Sequence, residues 1–396
     1  MFSGKTIILG VTGGIAAYKI ATLASMLKKQ HCDVHVIMTE NATQFITPVT
    51  FETLTGNKCL VDTFDRNFTM NVNHISLAKR ADVMMIAPAS ANCIAKMAHG
   101  LADDMLTTTA LACTCHKIVA PAMNTAMFEN QIVQDNIAKL KHYGFEIVSP
   151  SVGYLACGDT GSGKMAEPEV LFSYLEKAIA YKQDLKGINV LVTAGPTQES
   201  VDPVRYLTNH SSGKMGYAIA KAASLRGANV TLISGPTNLN APLFVNKVDI
   251  TSAAQLFEAV KSCAPSADII IKAAAVADFT PVTVSDEKIK KAGGTSCLEL
   301  TRTTDILAYL GEHKLDHQFL CGFSMETQHL IENSKAKLER KKIQMIAANS
   351  LKQEGAGFKG DTNVLTLITE HDVLPLEKMS KEEAAHTLLT QILKRR

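Results

Sequence analysis

The sequence predicts an α/β protein with two tandem Rossmann-like domains, each built on a mainly parallel sheet. Short apolar runs alternate with helical patterns along both halves of the chain, which is typical of βαβ units. The length of 396 residues corresponds to two or three domains at about 150 residues each. A polar stretch, YKQDLKG, lies near Ala180, and the strand and helix pattern starts again after it. We therefore predict domains at 1–182 and 183–396.

The first predicted domain opens with a buried strand, KTIILGVTG, a glycine turn, a helix from about Ile15 to Lys29 and a second strand, DVHVIMT. The apolar N-terminal segment is short and leads directly into the glycine turn, which favours a first strand over a signal peptide. Three further strands are predicted at 81–89, 116–123 and 145–150, with helices at 91–99 and 129–142. Strands and helices in this order predict a doubly wound sheet.

The second predicted domain begins with the strand INVLVTAGPT. Further strands are predicted at 229–236, 268–276 and 363–369, and helices at 213–227, 253–263 and 381–396. The turns that follow the first strand of each half differ in sequence. We therefore interpret the two halves as separate uses of one fold pattern and not as an internal repeat.

Composition excludes several classes of protein. Hydrophobic residues make up 46% and charged residues 20%, as in ordinary globular proteins, and no apolar run reaches the about 18 residues of a membrane span. The formal net charge of +2 argues against a nucleic-acid-coating protein. Nine cysteines without a C-x-x-C pair favour free thiols in a reducing cytoplasm. The cluster of Cys113, Cys115 and His116 lacks an evident fourth metal ligand, so buried thiols are favoured over a metal site.

Gly13 and Gly14 lie between the first strand and the first helix, where backbone amides can bind a phosphate. The stretch VTGGIAAYK matches neither G-x-G-x-x-G nor a Walker loop, so NAD and ATP are not required by pattern, and a purely structural turn is the alternative. Small, hydroxyl and amide residues follow other strands at Thr39, 88–92 and 121–124. Because the carboxyl ends of parallel strands form the ligand crevice, we predict a site for a flat, phosphorylated cofactor there.

Specific motifs then carry a family resemblance. GVTGGIAAYK, NHISL (73–77), PAMNTAM (121–127) and ACGDTGSGKM (156–165) resemble the flavin-dependent cysteine decarboxylases, whose fold is flavodoxin-like, and among them the phosphopantothenoylcysteine decarboxylases. After the polar stretch, AGPTQESVDPVRYLTNHSSGKMG (194–216), AAAVADF (273–279) and EKIKK (287–291) resemble the phosphopantothenate-cysteine ligases. The resemblance covers nearly the whole chain, in order.

For the first domain the resemblance implies FMN as cofactor. The residues implied to contact it are Gly13, Gly14, Thr39, Ser90, Asn92, Ala122 and Met123. His74 is implied as a base or electrostatic partner, Asn124 as the group that orients the substrate carboxylate, and Cys157 as a proton donor in a glycine-rich clamp. From residue type alone, the alternatives are an ordinary histidine, a strand-end cap and a loop thiol.

For the second domain the resemblance implies a CTP-dependent ligation through an acyl cytidylate, with Mg²⁺ held mainly by the CTP phosphates and its protein ligands unassigned. Asn209 is implied to handle the intermediate. The implied nucleotide residues are Asp278, Lys288, Asp305, Ile306, Phe323, Lys337 and Lys341. The segment 303–306 departs from the family's usual Asn-Pro pair. A predicted helix over 333–342 places Lys337 and Lys341 on one face, with a solvated charged face as the alternative.

Together the motifs predict an enzyme that makes 4'-phosphopantothenoylcysteine from 4'-phosphopantothenate, L-cysteine and CTP and decarboxylates it to 4'-phosphopantetheine, two steps of coenzyme A biosynthesis. The resemblance implies a homo-oligomer, with trimeric decarboxylase and dimeric ligase contacts combined in a dodecamer. Composition predicts a cytoplasmic protein with no nucleic-acid or membrane partner. A nicotinamide-dependent oxidoreductase and a flavoprotein-fold regulatory subunit are the alternatives.

Overall fold

A computed structural model describes residues 2–64, 73–154, 158, 160–290, 297–326, 329–350 and 360–396. The chain forms two compact units, Met1–Lys182 and Gln183–Arg396. Both are α/β units with mainly parallel sheets, which confirms the predicted fold class. In the described part of the chain, no helix is both long enough and apolar enough to cross a membrane.

The first unit contains a parallel sheet and a separate hairpin. The sheet strands are β1 (Thr6–Val11), β2 (Asp33–Met38), β3 (Val83–Ala89), β4 (His116–Pro121) and β5 (Glu146–Ile147), and the antiparallel hairpin strands are β6 (Ser151–Tyr154) and β7 (Thr160–Lys164). The helices are α1 (Ala17–Lys29), α2 (Pro48–Thr55), α3 (Asn73–Arg80), α4 (Ala91–His99), α5 (Met105–Ala112), α6 (Thr125–Glu129), α7 (Gln131–His142) and α8 (Pro168–Ile179). The strand order β2-β1-β3-β4-β5 is that of flavodoxin-like folds.

Strands β1 and β3 are buried along their whole length, because helices cover both faces of the sheet. Ile7 and Leu9 pack on the face covered by α1 and α8, whereas Ile8 packs on the opposite face with residues of α4, α5 and α7. Helix α1 buries Ile20 and Leu23, which are three residues apart on its inner face. This packing holds the carboxyl ends of β1 and β3 side by side. The strand order of the sheet reverses between these two strands.

The second unit is built on an eight-stranded sheet. Its strands, in chain order with the short pairs beside it, are β8 (Asn189–Ala194), β9 (Glu199–Ser200), β10 (Tyr206–Leu207), β11 (Asn229–Ser234), β12 (Val245–Asp249), β13 (Ile269–Lys272), β14 (Phe279–Pro281), β15 (Leu300–Arg302), β16 (Phe319–Glu326), β17 (Met345–Ser350), β18 (Thr362–Asn363), β19 (Leu365–Ile368), β20 (Val373–Pro375) and β21 (Met379–Ser380). The helices are α9 (Lys214–Leu225), α10 (Ala253–Cys263), α11 (Ile306–His313), α12 (Leu330–Arg340) and α13 (Lys381–Leu393).

The order in this sheet is β12-β11-β8-β13-β16-β17-β19-β20. The first six strands run parallel in the arrangement of a Rossmann fold, and β19 and β20 add an antiparallel edge. The strand order reverses between β8 and β13. Their carboxyl ends therefore form the crevice in which ligands of such sheets bind.

Two of the helix boundaries that differ from the sequence predictions bear on the candidate sites. The predicted helix over 129–142 is divided, because the Asn130 side chain accepts a hydrogen bond from the N–H of Ile132 and starts α7 after the short α6. Helix α12 ends at Arg340, so Lys341 lies just after the helix and not within it. The N–H of Lys341 still donates to the carbonyl of Lys337. The two lysines therefore remain one turn apart.

Candidate active sites

The first unit has a cavity of about 670 Å³ at the carboxyl ends of β1, β3 and β4. This volume lies within the range of about 300–1,000 Å³ that is typical of small-molecule sites. Six of the residues predicted to bind cofactor or substrate line it: Gly13, Gly14, Ser90, Ala122, Met123 and Asn124. The cavity is therefore the candidate active site of this unit.

The glycine turn before α1 presents backbone amides to this cavity. In the described part of the chain, none of the amides of residues 13–16 has a hydrogen-bond acceptor, and Ala16 at the start of α1 provides no side-chain cap. Gly13 packs closely against the turn that follows β2. A Cβ atom at Gly13 would lie only 2.7 Å from Cβ of Asn41 in that turn. Unpaired amides at a helix N-terminus are suited to bind an anionic group such as a phosphate.

Gly13 offers a substitution that tests the role of the turn. We expect Gly13→Ala to weaken flavin binding by about tenfold or more, because the collision with Asn41 displaces the turn at a cost of about 1–3 kcal/mol. Gly153→Ala is the control, since Gly153 does not line the cavity and a Cβ atom there would meet only Cδ of Lys164 at 3.6 Å. Flavin content of the two purified variants, measured by absorbance, checks this. Equal flavin content would contradict the assigned role of the turn.

Ser90 is held at the end of β3 by hydrogen bonds. Its N–H donates to Oγ1 of Thr12 over 2.9 Å, and its own side chain accepts from the N–H of Cys93 to cap α4. Thr39 and Asn92, which were also predicted to contact the cofactor, do not line the cavity. Thr39 caps the short turn Glu40–Gln44, and Asn92 is exposed in the first turn of α4. Their contact with a cofactor stays a prediction.

The PAMN segment after β4 is held against the β6–β7 hairpin. The N–H of Met123 donates to the carbonyl of Gly163 over 3.1 Å. Gly163 has a φ of +127°, and a Cβ atom there would collide with the Met123 carbonyl oxygen. Oδ1 of Asn124 accepts the N–H of Ala126 over 2.8 Å and caps α6. The hairpin therefore fixes the segment that carries Asn124 at the cavity wall.

Two predicted catalytic residues are only partly covered by the structure. Cys157 lies outside the described residues, in the sequence between β6 and β7. His74 is in the first turn of α3, and its side chain lies outside the described part. The roles of both residues stay predictions.

An ion-paired group at this cavity was not predicted from the sequence. Nζ of Lys19 lies 2.7 Å from Oε2 of Glu167, and Nζ of Lys164 lies 3.2 Å from Oε1 of the same carboxylate. Hydrogen bonding from Lys19 lowers the pKa of Glu167. A lysine in the first turn of a helix is repelled by the positive end of the helix dipole, and an acidic partner offsets this repulsion. The position of Lys19 in α1 therefore indicated a nearby carboxylate.

The second unit has a cavity of about 550 Å³ next to β13 and β16. It brings together most of the predicted nucleotide residues, namely Asp278, Asp305, Ile306, Phe323, Lys337 and Lys341. Lys288 does not line this cavity and is exposed in the loop after β14. The cavity is the candidate nucleotide site of the unit.

Lys341 has a carboxylate partner inside the cavity. Its Nζ is ion-paired with Oδ2 of Asp305, while Oδ1 of Asp305 accepts the N–H of Ala308 and caps α11. Burial lowers the pKa of Lys341. The pair therefore ties the end of α12 to the start of α11 across the cavity, an arrangement that the spacing of the two lysines did not predict.

Three further cations line the same cavity and were not assigned to it from the sequence: Lys272, Arg302 and Arg340. Lys272 is the last residue of β13 and is only 6% exposed. Burial lowers its pKa to about 7. The signal in the sequence is a lysine directly after the apolar run of a buried strand, since lysine is rarely buried without a partner.

A smaller cavity of about 170 Å³ adjoins the nucleotide site and shares Ala274 and Phe323 with it. Asn209 lies next to it. Its Nδ2 donates to the carbonyl of Ala275 over 2.5 Å, and its Oδ1 accepts the N–H of Ser211 over 3.0 Å. The Asn209 amide therefore joins the turn before α9 to the segment that follows β13.

The loop that carries Lys288 is anchored by a buried carboxylate. Oδ2 of Asp202 accepts the N–H of Ile289 over 3.1 Å, and Nη2 of Arg205 donates to the carbonyl of Ile289 over 2.8 Å. The Arg205 guanidinium holds the pKa of Asp202 well below its usual range. These contacts fix the backbone of Ile289, the residue next to Lys288, whereas the Lys288 side chain is exposed.

Metal ligands do not cluster in the described ranges of the chain, where no group of three or more His, Cys, Asp and Glu side chains could hold an ion. Cys113 and Cys115 are both free thiols in these ranges.

Two family models match successive regions of the chain. Residues 1–180 match the family model described as Flavoprotein, and residues 185–395 match the DNA/pantothenate metabolism flavoprotein C-terminal domain. The Coenzyme A biosynthesis bifunctional protein CoaBC of Haemophilus influenzae is 44% identical over 99% of this chain and 98% of its own length. The protein of the same name from Bacillus subtilis is 46% identical over 99% and 97%, respectively.

A crystal structure of the C-terminal domain of a CoaBC protein is also similar. It is 44% identical, covers 52% of this chain and 95% of its own, and has a TM-score of 0.45. The family models and the full-length relatives are sufficient to assign the family. The chain belongs to the family of bifunctional coenzyme A biosynthesis proteins, with an N-terminal flavoprotein region and a C-terminal ligase region.

Proposed function

We propose that residues 183–396 ligate L-cysteine to 4'-phosphopantothenate with CTP, and that residues 1–182 decarboxylate the product to 4'-phosphopantetheine. The observation that carries this proposal is that each unit has a cavity at its sheet lined by most of the residues that the motifs indicate. The names of the full-length relatives support the same pair of steps in coenzyme A biosynthesis.

The first cavity fits FMN. The unpaired backbone amides of residues 13–16 are suited to bind the FMN phosphate. Gly13 has no side chain that would cover these amides. The lining next to them is mostly small or apolar, including Ala122 and Met123, which suits a flat ring system. When bound, FMN would supply reversible two-electron redox chemistry at the cysteinyl end of the substrate.

Protein groups around this cavity bind the substrate and handle its protons. Oδ1 of Asn124 accepts the N–H of Ala126, so Nδ2 is the atom that donates to the substrate carboxylate. His74 acts as base or electrostatic partner at the thiol end. The thiol of Cys157 donates a proton to the decarboxylated carbon. Cys157 lies in the sequence between the two strands of the β6–β7 hairpin, which is docked on the PAMN segment at the cavity wall.

In the second unit, a carboxylate oxygen of 4'-phosphopantothenate attacks the α-phosphorus of CTP, and pyrophosphate leaves. The cysteine amine then attacks the acyl carbon of this acyl cytidylate, and CMP leaves. Lys337 and Lys288 neutralise the phosphates, while Phe323 and Asp278 contribute to nucleotide binding. Asn209 stabilises the charge on the acyl group through its amide, as a preorganised donor would.

Mg²⁺ is bound through the CTP phosphates and water, with few protein ligands. We also propose a homo-oligomer in which trimeric decarboxylase contacts and dimeric ligase contacts combine, as in a dodecamer.

The anchor of the Lys288 loop gives a specific prediction. We expect Asp202→Asn to raise the KM for CTP about tenfold, because the loss of its charge weakens the hold of Arg205 and Asp202 on Ile289. Steady-state ligation kinetics measure this. Asp249→Asn is the control, since Asp249 is exposed and pairs with Lys247. An unchanged KM would remove the loop from nucleotide binding.

The two half-reactions can be separated in the full-length protein. With synthetic 4'-phosphopantothenoylcysteine and no CTP, we expect carbon dioxide and 4'-phosphopantetheine. With CTP, Mg²⁺, 4'-phosphopantothenate and serine in place of cysteine, we expect no 4'-phosphopantetheine. Failure of the first reaction in protein loaded with FMN would refute the decarboxylase assignment.

A further inference from the structure

Lys272 presents a problem that the assigned residues do not explain. The atom Nζ is fully buried and has no hydrogen-bond partner among the described residues. Burying an ammonium group without a partner destabilises a folded protein, so such a group is rarely retained in a core without another reason. Its position at the carboxyl end of β13, in the wall of the nucleotide cavity, suggests that the missing partner is a ligand.

The neighbouring strands provide no acceptor for this lysine. Lys272 is in register with Thr193 on β8 and with Gly322 on β16. Gly322 has no side chain, and Oγ1 of Thr193 accepts the N–H of Ala274. Neither residue therefore supplies a side-chain acceptor to the ammonium group of Lys272, and Lys272 itself lines the cavity.

The charged residues that face the same cavity come from several elements around it. They are Asp278, Arg302, Asp305, Lys337, Arg340 and Lys341. Asp305 is already paired with Lys341. Burial lowers the pKa of Lys272 to about 7. Once the Asp305–Lys341 pair is set aside, the remaining cations outnumber the acids. This imbalance favours an anionic ligand.

We propose that Lys272 is a phosphate-binding residue of the nucleotide site, and that its ammonium group donates to an oxygen of the CTP phosphate chain at the cavity wall. The proposal rests on the proposed function, in which CTP occupies this cavity. A phosphate oxygen supplies both the acceptor and the negative charge that the protein does not provide, and hydrogen bonds between two ionised groups are stronger than neutral ones.

Binding should then be coupled to proton uptake. Above pH 7 much of Lys272 is neutral in the unliganded protein, because its pKa is about 7. A bound phosphate favours the charged form and raises that pKa, so the complex takes up a proton. The uptake should be largest between about pH 7 and 9 and should vanish well below pH 7, where the lysine is already protonated.

Isothermal titration calorimetry of the full-length protein tests the proposal, with CTP and inorganic pyrophosphate as the probes. We expect Lys272→Met to weaken the binding of both by at least about tenfold. Titrations at pH 8 in two buffers of different ionisation enthalpy should show proton uptake in the unmodified protein that is reduced in the variant. Lys335→Met is the control, because Lys335 is exposed on α12 and does not line the cavity.

Thermal unfolding separates this role from a structural one. Methionine fills a similar volume without a charge, so Lys272→Met should melt at the same temperature as the unmodified protein or higher. A lower melting temperature would indicate a structural role and overturn the proposal. Unchanged CTP binding would also overturn it while leaving the nucleotide site intact. Weaker CTP binding with unchanged pyrophosphate binding would indicate contact with the nucleoside instead. Failure of the unmodified protein to bind CTP would refute the nucleotide site itself.

Discussion

Asn209→Asp is expected to reduce CTP-dependent ligation by about 10²–10³-fold, the usual effect of removing one preorganised donor from a reacting oxygen. The substitution replaces the Nδ2 donor, which lies 2.5 Å from the carbonyl of Ala275, by a negatively charged oxygen. It thereby removes the donor that polarises the acyl group when the cysteine amine attacks it. Cysteine should then fail to replace CMP, and acyl cytidylate should accumulate.

Mass spectrometry of the quenched ligation mixture measures this result. Decarboxylation of supplied 4'-phosphopantothenoylcysteine should remain unchanged, because Asn209 belongs to the second unit. Asn240→Asp, an exposed position in the loop after β11, is the control for an added negative charge. Ligation at the normal rate by Asn209→Asp would remove Asn209 from the site.

Gly163→Ala is expected to reduce decarboxylation by about 10²-fold or more, since small displacements of catalytic groups have effects of that size. A Cβ atom at Gly163 would collide with the carbonyl oxygen of Met123, and the φ of +127° is unfavourable for alanine. The β6–β7 hairpin must therefore move away from the PAMN segment. Asn124 would then lose its support at the cavity wall.

Gly153→Ala is the matched control in the partner strand of the same hairpin. A Cβ atom there would meet only Cδ of Lys164 at 3.6 Å, an ordinary contact. Flavin content and the rate of carbon dioxide release should fall in Gly163→Ala and remain near normal in Gly153→Ala. Equal rates in both variants would contradict the role assigned to hairpin docking.

Much of the fold could be predicted because its central strands are apolar on both faces. TIILGV and VMMIAPA are completely buried, which identifies the interior of a parallel sheet before any pairing is known. The edges could not be predicted in the same way. VNKVD in β12 is partly exposed, and the direction of β19 and β20 depends on pairing between distant segments.

The candidate sites show a similar division. Residues at the ends of predicted strands, such as Gly13, Ser90 and Asn124, could be placed together because parallel strands end at one edge of a sheet. The Lys19–Glu167 pair joins groups 148 residues apart. The Lys341–Asp305 pair likewise depends on how α12 approaches α11. Neither partner could be identified from local spacing, because tertiary packing determines both contacts.

The central claim is that one chain carries out both the CTP-dependent ligation and the decarboxylation. Mass spectrometry of products tests it most directly, after incubation of the full-length protein with 4'-phosphopantothenate, L-cysteine, CTP, Mg²⁺ and FMN, and with each component omitted in turn. We predict CMP and 4'-phosphopantetheine in the complete mixture, and neither product without CTP. The absence of any CTP-dependent product from the complete mixture would contradict the account.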